Sequence, residues 1–180
     1  GKKCPQKTPI NEVFLSDTTN WREDNLNLIR QDYRQAPYFG EVFPRLESLY
    51  STPCDRLVEF NMLSIEMLLD MFGIRINRIF SGTLSPEGTK NELLIDLLRK
   101  ARADEYLSGV GAKDYLQPEK FEDAGVKLII QEFKHPVYPQ INGDFIPYLS
   151  AIDIMFNCGI ERSAEILTTV PRVAARAVEV

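Results

Sequence analysis

Hydrophobic residues recur along this chain at two different spacings, and the two spacings alternate. Over residues 21–34, and again over residues 93–101, apolar residues fall three or four positions apart, which predicts amphipathic helices. The run over residues 126–133 is rich in Val, Ile and Leu, as a buried strand is. Helix and strand in succession are typical of the α/β class, so we predict a mainly parallel sheet flanked by helices.

Weaker patterns add further elements. Short strands are expected over residues 11–16, 75–81 and 105–107, and helices over residues 118–124 and 149–157, the last ending at Gly159. A helix over residues 55–72 is apolar around most of its circumference and is expected to be largely buried. Pro37 and Pro44 each suit the first turn of a helix, so residues 37–50 predict two short helices rather than one.

The chain has 180 residues, of which 44% are hydrophobic and 26% charged, as in an ordinary globular domain. We therefore expect one domain over residues 1–180 with a Pro-rich loop region toward its C-terminal end, and either a docked helix or a loose tail over residues 171–180. The longest apolar run, residues 62–74, contains Ser64, Glu66 and Asp70. It is too short to span a bilayer.

Charge and cysteine content narrow the functional classes. The net charge is −5 and no basic block is longer than Lys2-Lys3, which argues against nucleic acid as a partner. Cys4, Cys54 and Cys158 are odd in number and widely spaced, which favours reduced thiols. The thiols favour a cytoplasmic protein. We also expect a small-molecule substrate, no metal and no cofactor, and the oligomeric state stays open.

A single histidine, His135, excludes several catalytic templates. A zinc site with two histidines cannot be built, and a Ser-His or Cys-His pair would have to use His135. Pro136 keeps this residue extended, just past the predicted strand over residues 126–133, where ligands of open α/β sheets bind. His135 is therefore a candidate general base, with Glu132 or Asp153 to orient it. The alternative is a histidine that only makes structural hydrogen bonds.

A glycine-containing turn follows the predicted strand at residues 105–107. In this turn Gly109 and Gly111 expose backbone N–H groups that can hold an anion, to which Ser108 could add a hydroxyl and Lys113 a charge. The alternative is a tight turn in which the glycines only supply positive φ.

Three polar residues lie on otherwise apolar helix faces. Asn61 is inside the apolar helix, and Asp153 and Asn157 share one face of the last predicted helix. Such groups need partners. They could bind a ligand or brace the neighbouring Pro-rich loop, and we favour the loop.

An ordered series of motifs over residues 9–160 resembles the WbqC-like protein family. Upstream, Trp21, Tyr33, Asn61 and the stretch Ala36-Pro37-Tyr38-Phe39 belong to it. The other motifs are Asp104-Glu105-Tyr106-Leu107-Ser108-Gly109, Tyr115-Leu116, Phe121, Ala124-Gly125-Val126, Phe133, His135-Pro136-Val137-Tyr138-Pro139-Gln140, Phe145 and Leu149-Ser150-Ala151-Ile152-Asp153-Ile154-Met155-Phe156-Asn157-Cys158-Gly159. Family members usually begin with a His-Gln-Pro-type motif and an acidic strand. Neither occurs here, so we expect the family's N-terminal segment to be missing.

The resemblance implies a role in bacterial O-antigen and surface-polysaccharide assembly. It suggests a transferase that attaches a small acyl or aminoacyl group, glycine having been proposed for the family, to an amino sugar or nucleotide-sugar. His135 would act as the base, the turn from Ser108 to Lys113 would hold a phosphate or carboxylate, and Tyr115, Tyr138 and Gln140 would line the pocket. Alternatives are a non-catalytic binding or scaffold subunit and, with weaker support, an adenylate-forming enzyme.

Overall fold

The computed structural model describes residues 8–131, 133–169 and 176–177. These residues divide into two compact units. The first unit joins two chain segments, residues 8–75 and 135–169, and the second contains residues 76–134 together with residues 176–177. The prediction of one domain over residues 1–180 stays a prediction.

Helices predominate in the first unit. They are α1 (Trp21–Tyr33), α2 (Phe39–Ser51), α3 (Leu57–Met71), and, later in the chain, α7 (Ala151–Cys158) and α8 (Ile160–Thr169), with a short 3-10 helix at Ile10–Glu12. The second unit contains α4 (Ser81–Leu84), α5 (Lys90–Ala101), β1 (Glu105–Gly109), a 3-10 helix at Val110–Ala112, α6 (Pro118–Asp123), β2 (Lys127–Gln131) and β3 (Arg176–Ala177).

The core of the first unit forms where α7 meets α2. Met155 and Phe156 of α7 are fully buried, and Tyr33 and Phe39 stack on the Phe156 ring at centroid distances of 4.5 and 5.9 Å. The buried members of this core are Ala36, Val42, Phe43, Leu46, Tyr138, Ile154, Met155, Phe156 and Cys158. This packing fixes the N-terminal turn of α7, where Asp153 lies.

Helix α2 continues through Pro44 as one helix. The prediction of two short helices over residues 37–50 was therefore wrong. Proline removes one backbone hydrogen bond from a helix interior and disfavours the helix there. Burial of Val42, Phe43 and Leu46 on the inner face of α2 offsets this loss.

The second unit is built around a parallel pair of strands. β1 pairs with β2 in the register Glu105↔Lys127 to Gly109↔Gln131, and α6 lies between them in the chain. Their common core is formed by Ile95, Ala112, Leu116, Phe121, Val126, Leu128 and Ile130. β3 adds two antiparallel residue pairs to β2. A mixed helix and strand fold with parallel pairing is confirmed, but this sheet is smaller than the mainly parallel sheet that the sequence predicts.

Three expectations for the remaining elements differ from the structure. Residues 11–16 form only one antiparallel bridge, Phe14↔Arg56, and residues 74–80 form neither a helix nor a strand. Alternation predicts a strand, but a strand also needs a partner. Helix α3 has no fully buried residue, because the first unit covers only part of its apolar circumference.

The Pro-rich segment is irregular, as predicted, with no helix or strand over residues 133–150. Most of the predicted tail over residues 171–180 lies outside the described residues. Among the helices that are described, none has the length and apolar character needed to cross a membrane.

Candidate functional site

The single histidine lies in the first unit among three aromatic rings. Its ring centroid is 5.2 Å from that of Tyr148, 5.7 Å from Phe145 and 6.1 Å from Tyr138. His135 is half-buried, and its Nδ1 lies 2.8 Å from the carbonyl oxygen of Pro136. Because a carbonyl only accepts, Nδ1 is the N–H nitrogen in this contact. In the neutral ring this leaves the lone pair on Nε2, the form that a general base needs.

Asp153 lies at the centre of a buried hydrogen-bond network. Its carboxylate accepts from the hydroxyl of Tyr33 at 2.7 Å and from that of Tyr138 at 2.8 Å. Gln140 Nε2 donates to the same carboxylate at 2.9 Å. Asp153 is only 4% exposed and occupies the first turn of α7, where the helix dipole favours a negative charge.

Tyr138 connects this network to His135. Its hydroxyl is fixed by Asp153, and its ring packs beside the imidazole and edge-on to Phe145, with a 5.2 Å centroid distance to the latter. By fixing Tyr138, Asp153 therefore helps to position the aromatic rings that surround His135. Glu132, the other predicted orienting residue, lies outside the described residues.

The amides of Gln140 and Asn157 brace the Pro-rich loop. Gln140 donates to the carbonyl of Ile146 at 3.0 Å and accepts from its N–H at 2.8 Å, closing residues 140–146 into a loop. Asn157 Oδ1 accepts from the N–H of Ile141 at 3.0 Å. These are the bonds expected of loop-bracing residues, and they give the backbone of an irregular segment the partners it needs.

Burial changes the acid–base behaviour of the groups around Asp153. It raises the pKa of Tyr138 to about 12, and the hydrogen bond to the Asp153 carboxylate adds to the effect. Burial and the same carboxylate also hold the pKa of Tyr33 well above its usual range. Burial raises the pKa of the Cys158 thiol as well. Both tyrosines therefore remain neutral donors at physiological pH.

The glycine turn lies in the second unit, at the end of β1. Ser108 is buried, whereas Lys113 and Tyr115 are exposed. Neither Gly109 nor Gly111 has a positive φ, so the explanation that these glycines only supply positive φ was wrong. A Cβ at either position would meet no atom within 4 Å. The open space leaves the backbone accessible, and the anion site stays a prediction.

The structure thus places six predicted site residues in the first unit. His135, Tyr138, Gln140, Asp153 and Asn157 belong to one connected cluster of the first unit, and Asn61 is half-buried on α3 of that unit. Ser108, Gly109, Gly111, Lys113 and Tyr115 belong to the second unit. The single hollow shared by His135 and the glycine turn stays a prediction.

Sequence reasoning missed three residues of this cluster: Tyr33, Phe145 and Tyr148. Tyr33 and Asp153 are 120 positions apart, and no local spacing could have paired them. Tyr148 follows Pro147 in a segment without periodicity. Phe145 belonged to the motifs that suggest the family, but its place beside His135 had no sequence signal.

A groove of about 660 Å³ lies between α2 and α3 in the same unit. It is lined by Pro44, Arg45, Ser48, Leu49, Thr52, Leu63, Met67, Asp70, Met71 and Ile160. None of these residues was predicted to act in catalysis or binding, so this groove is separate from the set of predicted site residues.

Comparison with known proteins gives a family but no established activity. The sequence model of the WbqC-like protein family matches residues 1–165. The uncharacterized protein Rv1507c of Mycobacterium tuberculosis is 26% identical over 149 residues, which are 82% of this chain and 64% of that protein. The chain therefore spans less than two thirds of the length of this curated relative. No solved structure matches.

Proposed function

Starting from the fact that the chain belongs to the WbqC-like protein family, we propose that it is a cytoplasmic transferase of surface-polysaccharide, including O-antigen, assembly. It would join a small acyl or aminoacyl group, glycine in the simplest case, to the amine of an amino sugar or a nucleotide-linked amino sugar. The observation that carries this proposal is the 2.8 Å contact of His135 Nδ1 with the Pro136 carbonyl, which makes Nδ1 the donor. We take Nε2 as the proton acceptor of the reaction.

The reaction needs a base in one step, the removal of a proton from the attacking nitrogen. The neutral amine of the sugar attacks the carbonyl carbon of an activated acyl donor, and a carbon–nitrogen bond forms as the leaving group departs with its electron pair. The nitrogen must then lose a proton, and His135 Nε2 takes it. General-base catalysis of this kind contributes about 10²–10⁴ in rate.

The other residues of the cluster would position this base. Asp153 fixes Tyr138, Tyr138 packs against the imidazole, and Gln140 closes the loop that carries Phe145. A base held by packed rings and buried hydrogen bonds keeps its direction without reorganising during the reaction. In the second unit, Ser108, Gly109, Gly111 and Lys113 would bind a phosphate or carboxylate, and Tyr115 would contact the sugar or base.

A specific observation favours the second candidate, a non-catalytic subunit that binds a sugar nucleotide. The Asp153 carboxylate accepts from Tyr33, Tyr138 and Gln140, and the Gln140 and Asn157 amides bond to backbone. These polar groups are committed to structural bonds, as expected of a rigid binding site that does no chemistry.

Calorimetry and a rate assay separate the two candidates. Full-length protein is titrated with UDP- and dTDP-linked amino sugars, and amide formation is followed with an activated glycyl donor. We expect His135→Ala to lose at least about a hundredfold in rate while sugar-nucleotide affinity changes little. Val137→Ala, an exposed neighbour in the same loop, is the control and should retain the rate. Unaltered turnover in His135→Ala would show that the proposed base is wrong.

A further inference from the structure

We propose that the ring of Tyr148, beside His135, forms the platform against which the sugar ring of the acceptor stacks. This inference rests on the proposed function and deepens it by naming the residue that recognises the ring. Tyr148 has a φ of +62°, a left-handed conformation, and it is 77% exposed. Its ring lies edge-on to the imidazole of His135, with 5.2 Å between centroids and 73° between planes.

The backbone conformation of Tyr148 is not explained by core packing. An L-residue with a Cβ disfavours positive φ, and a tyrosine lacks the short polar side chain that makes this region tolerable for Asn or Asp. Burial of a large ring could offset such strain, but this ring is mostly in solvent. Strained residues that stability does not explain cluster at functional sites.

The surroundings of Tyr148 fit a ligand with one apolar face. Tyr138, only 5% exposed, and the half-buried Phe145 pack on His135 from within the loop, whereas Tyr148 contacts it from the solvent side. A pyranose ring presents C–H groups on its faces and hydroxyl or amino groups around its rim. Stacking on Tyr148 would bury a C–H face and leave the rim polar groups hydrated, with the amine free to approach the imidazole.

The platform is held in place before any ligand arrives. The two hydrogen bonds between Gln140 and Ile146 close the loop just before Tyr148, and Gly143, with φ +75°, makes the turn inside it. A loop already fixed in its binding conformation loses little conformational freedom when the ligand binds. The backbone that leads to Tyr148 is therefore already placed when the ligand binds.

The single histidine supplies a direct probe of this contact. The imidazole gives one Hε1 signal in proton NMR, since the chain has no other histidine. Full-length protein is titrated with UDP-linked 2-amino-2-deoxyglucose and, separately, with UDP alone. We expect the amino sugar to shift the His135 signal in a saturable way and UDP to leave it in place. An equal shift with UDP alone would overturn the proposal, because the nucleotide rather than the sugar would then occupy the platform.

Substitutions at Tyr148 then test the stacking itself. Tyr148→Leu should weaken binding of the UDP-linked amino sugar about threefold to tenfold, and Tyr148→Phe, which keeps the ring, should bind within about twofold of the original protein. Phe80→Leu, an exposed aromatic residue in the second unit, is the matched control and should bind normally.

Two results would count against the proposal in different ways. If Tyr148→Leu binds the amino sugar as tightly as the original protein, the platform is wrong and the proposed transferase stands. If the original protein binds neither UDP- nor dTDP-linked amino sugars, the proposed function fails and the platform fails with it.

Discussion

Both units of this protein have exposed ion pairs, but a buried charged side chain is described only in the first. In the first unit, a buried carboxylate on α7 collects donors from distant parts of the chain, Tyr33 lying 120 positions away. In the second unit, charged residues pair at the surface, as Lys127 does with Glu105 at 2.7 Å, both side chains being 54% exposed. A buried polar network has a fixed geometry and costs much to break, whereas exposed pairs contribute little.

This difference indicates which unit can hold reacting groups in a fixed geometry. His135 belongs to the unit whose loops are closed by buried hydrogen bonds, and its neighbours are aromatic rings in fixed positions. The glycine turn belongs to the unit in which no described charged side chain is buried. We therefore expect the first unit to determine reaction geometry and the second to tolerate change.

The largest effect is expected from removing the centre of the buried network. Asp153→Ala leaves the hydroxyls of Tyr33 and Tyr138 and the amide of Gln140 without their common acceptor. The free energy of unfolding, measured with urea, should fall by about 3 kcal/mol or more. The free energy of unfolding should fall less in Asp153→Asn, because the amide oxygen can still accept from one donor.

The matched control lies in the surface pair of the second unit. Glu105→Ala should lower the free energy of unfolding by at most about 1 kcal/mol, since both partners are exposed. If Asp153→Ala and Glu105→Ala lost similar amounts of unfolding free energy, the proposed difference between the two units would be wrong.

A smaller effect is expected at the glycine that separates α7 from α8. Gly159 has a φ of +81°, and a Cβ there would lie 2.8 Å from the ring of Tyr38. Gly159→Ala should therefore cost about 2 kcal/mol of unfolding free energy, from backbone strain and the clash together. Gly111 in the second unit does not have a positive φ, and a Cβ there would meet no atom within 4 Å. Gly111→Ala should therefore change the free energy of unfolding by about 0.5 kcal/mol or less. Equal losses at the two positions would contradict this expectation.

A third effect, absent at neutral pH, is a loss of stability at alkaline pH. A free tyrosine titrates near 10, but burial and the Asp153 carboxylate raise the pKa of Tyr138 to about 12. Between these values the unfolded chain has lost this proton and the folded chain keeps it, so stability is complete below about pH 10 and falls as pH rises toward 12.

Urea unfolding at several alkaline pH values measures this slope, and Tyr138→Phe removes the titrating group. The variant should show a shallower decline than the original protein. An unchanged slope would mean that Tyr138 does not contribute to the alkaline loss.

Local patterns predicted the elements that have strong periodicity or clear ends. The helix expected over residues 21–34 is α1, and the strand expected over residues 126–133 contains β2. The ending of the last predicted helix at Gly159 was also correct, since the C-cap residue of α7 is that glycine. Helix α8, which begins one residue later, was missed because Gly159 was taken as the end of helical structure.

Patterns failed where an element depends on the rest of the molecule. Residues 75–81 alternate as a strand does, yet the side chains of Ile76 and Ile79 are 59% exposed. The polar residues on apolar faces were noticed, and loop bracing was favoured for Asn61, Asp153 and Asn157. Their partners could not be named, because Tyr33 reaches Asp153 through the packing of α1 rather than through spacing.

The division of the first unit between two chain segments has a consequence for biosynthesis. A ribosome delivers residues 8–75 before residues 135–169, so the carboxylate that Tyr33 needs is made late. The pairing of β1 with β2 requires only a short intervening segment and can close earlier. We therefore expect the helices α1 to α3 to stay partly folded during translation until α7 emerges, with apolar faces that chaperones can bind.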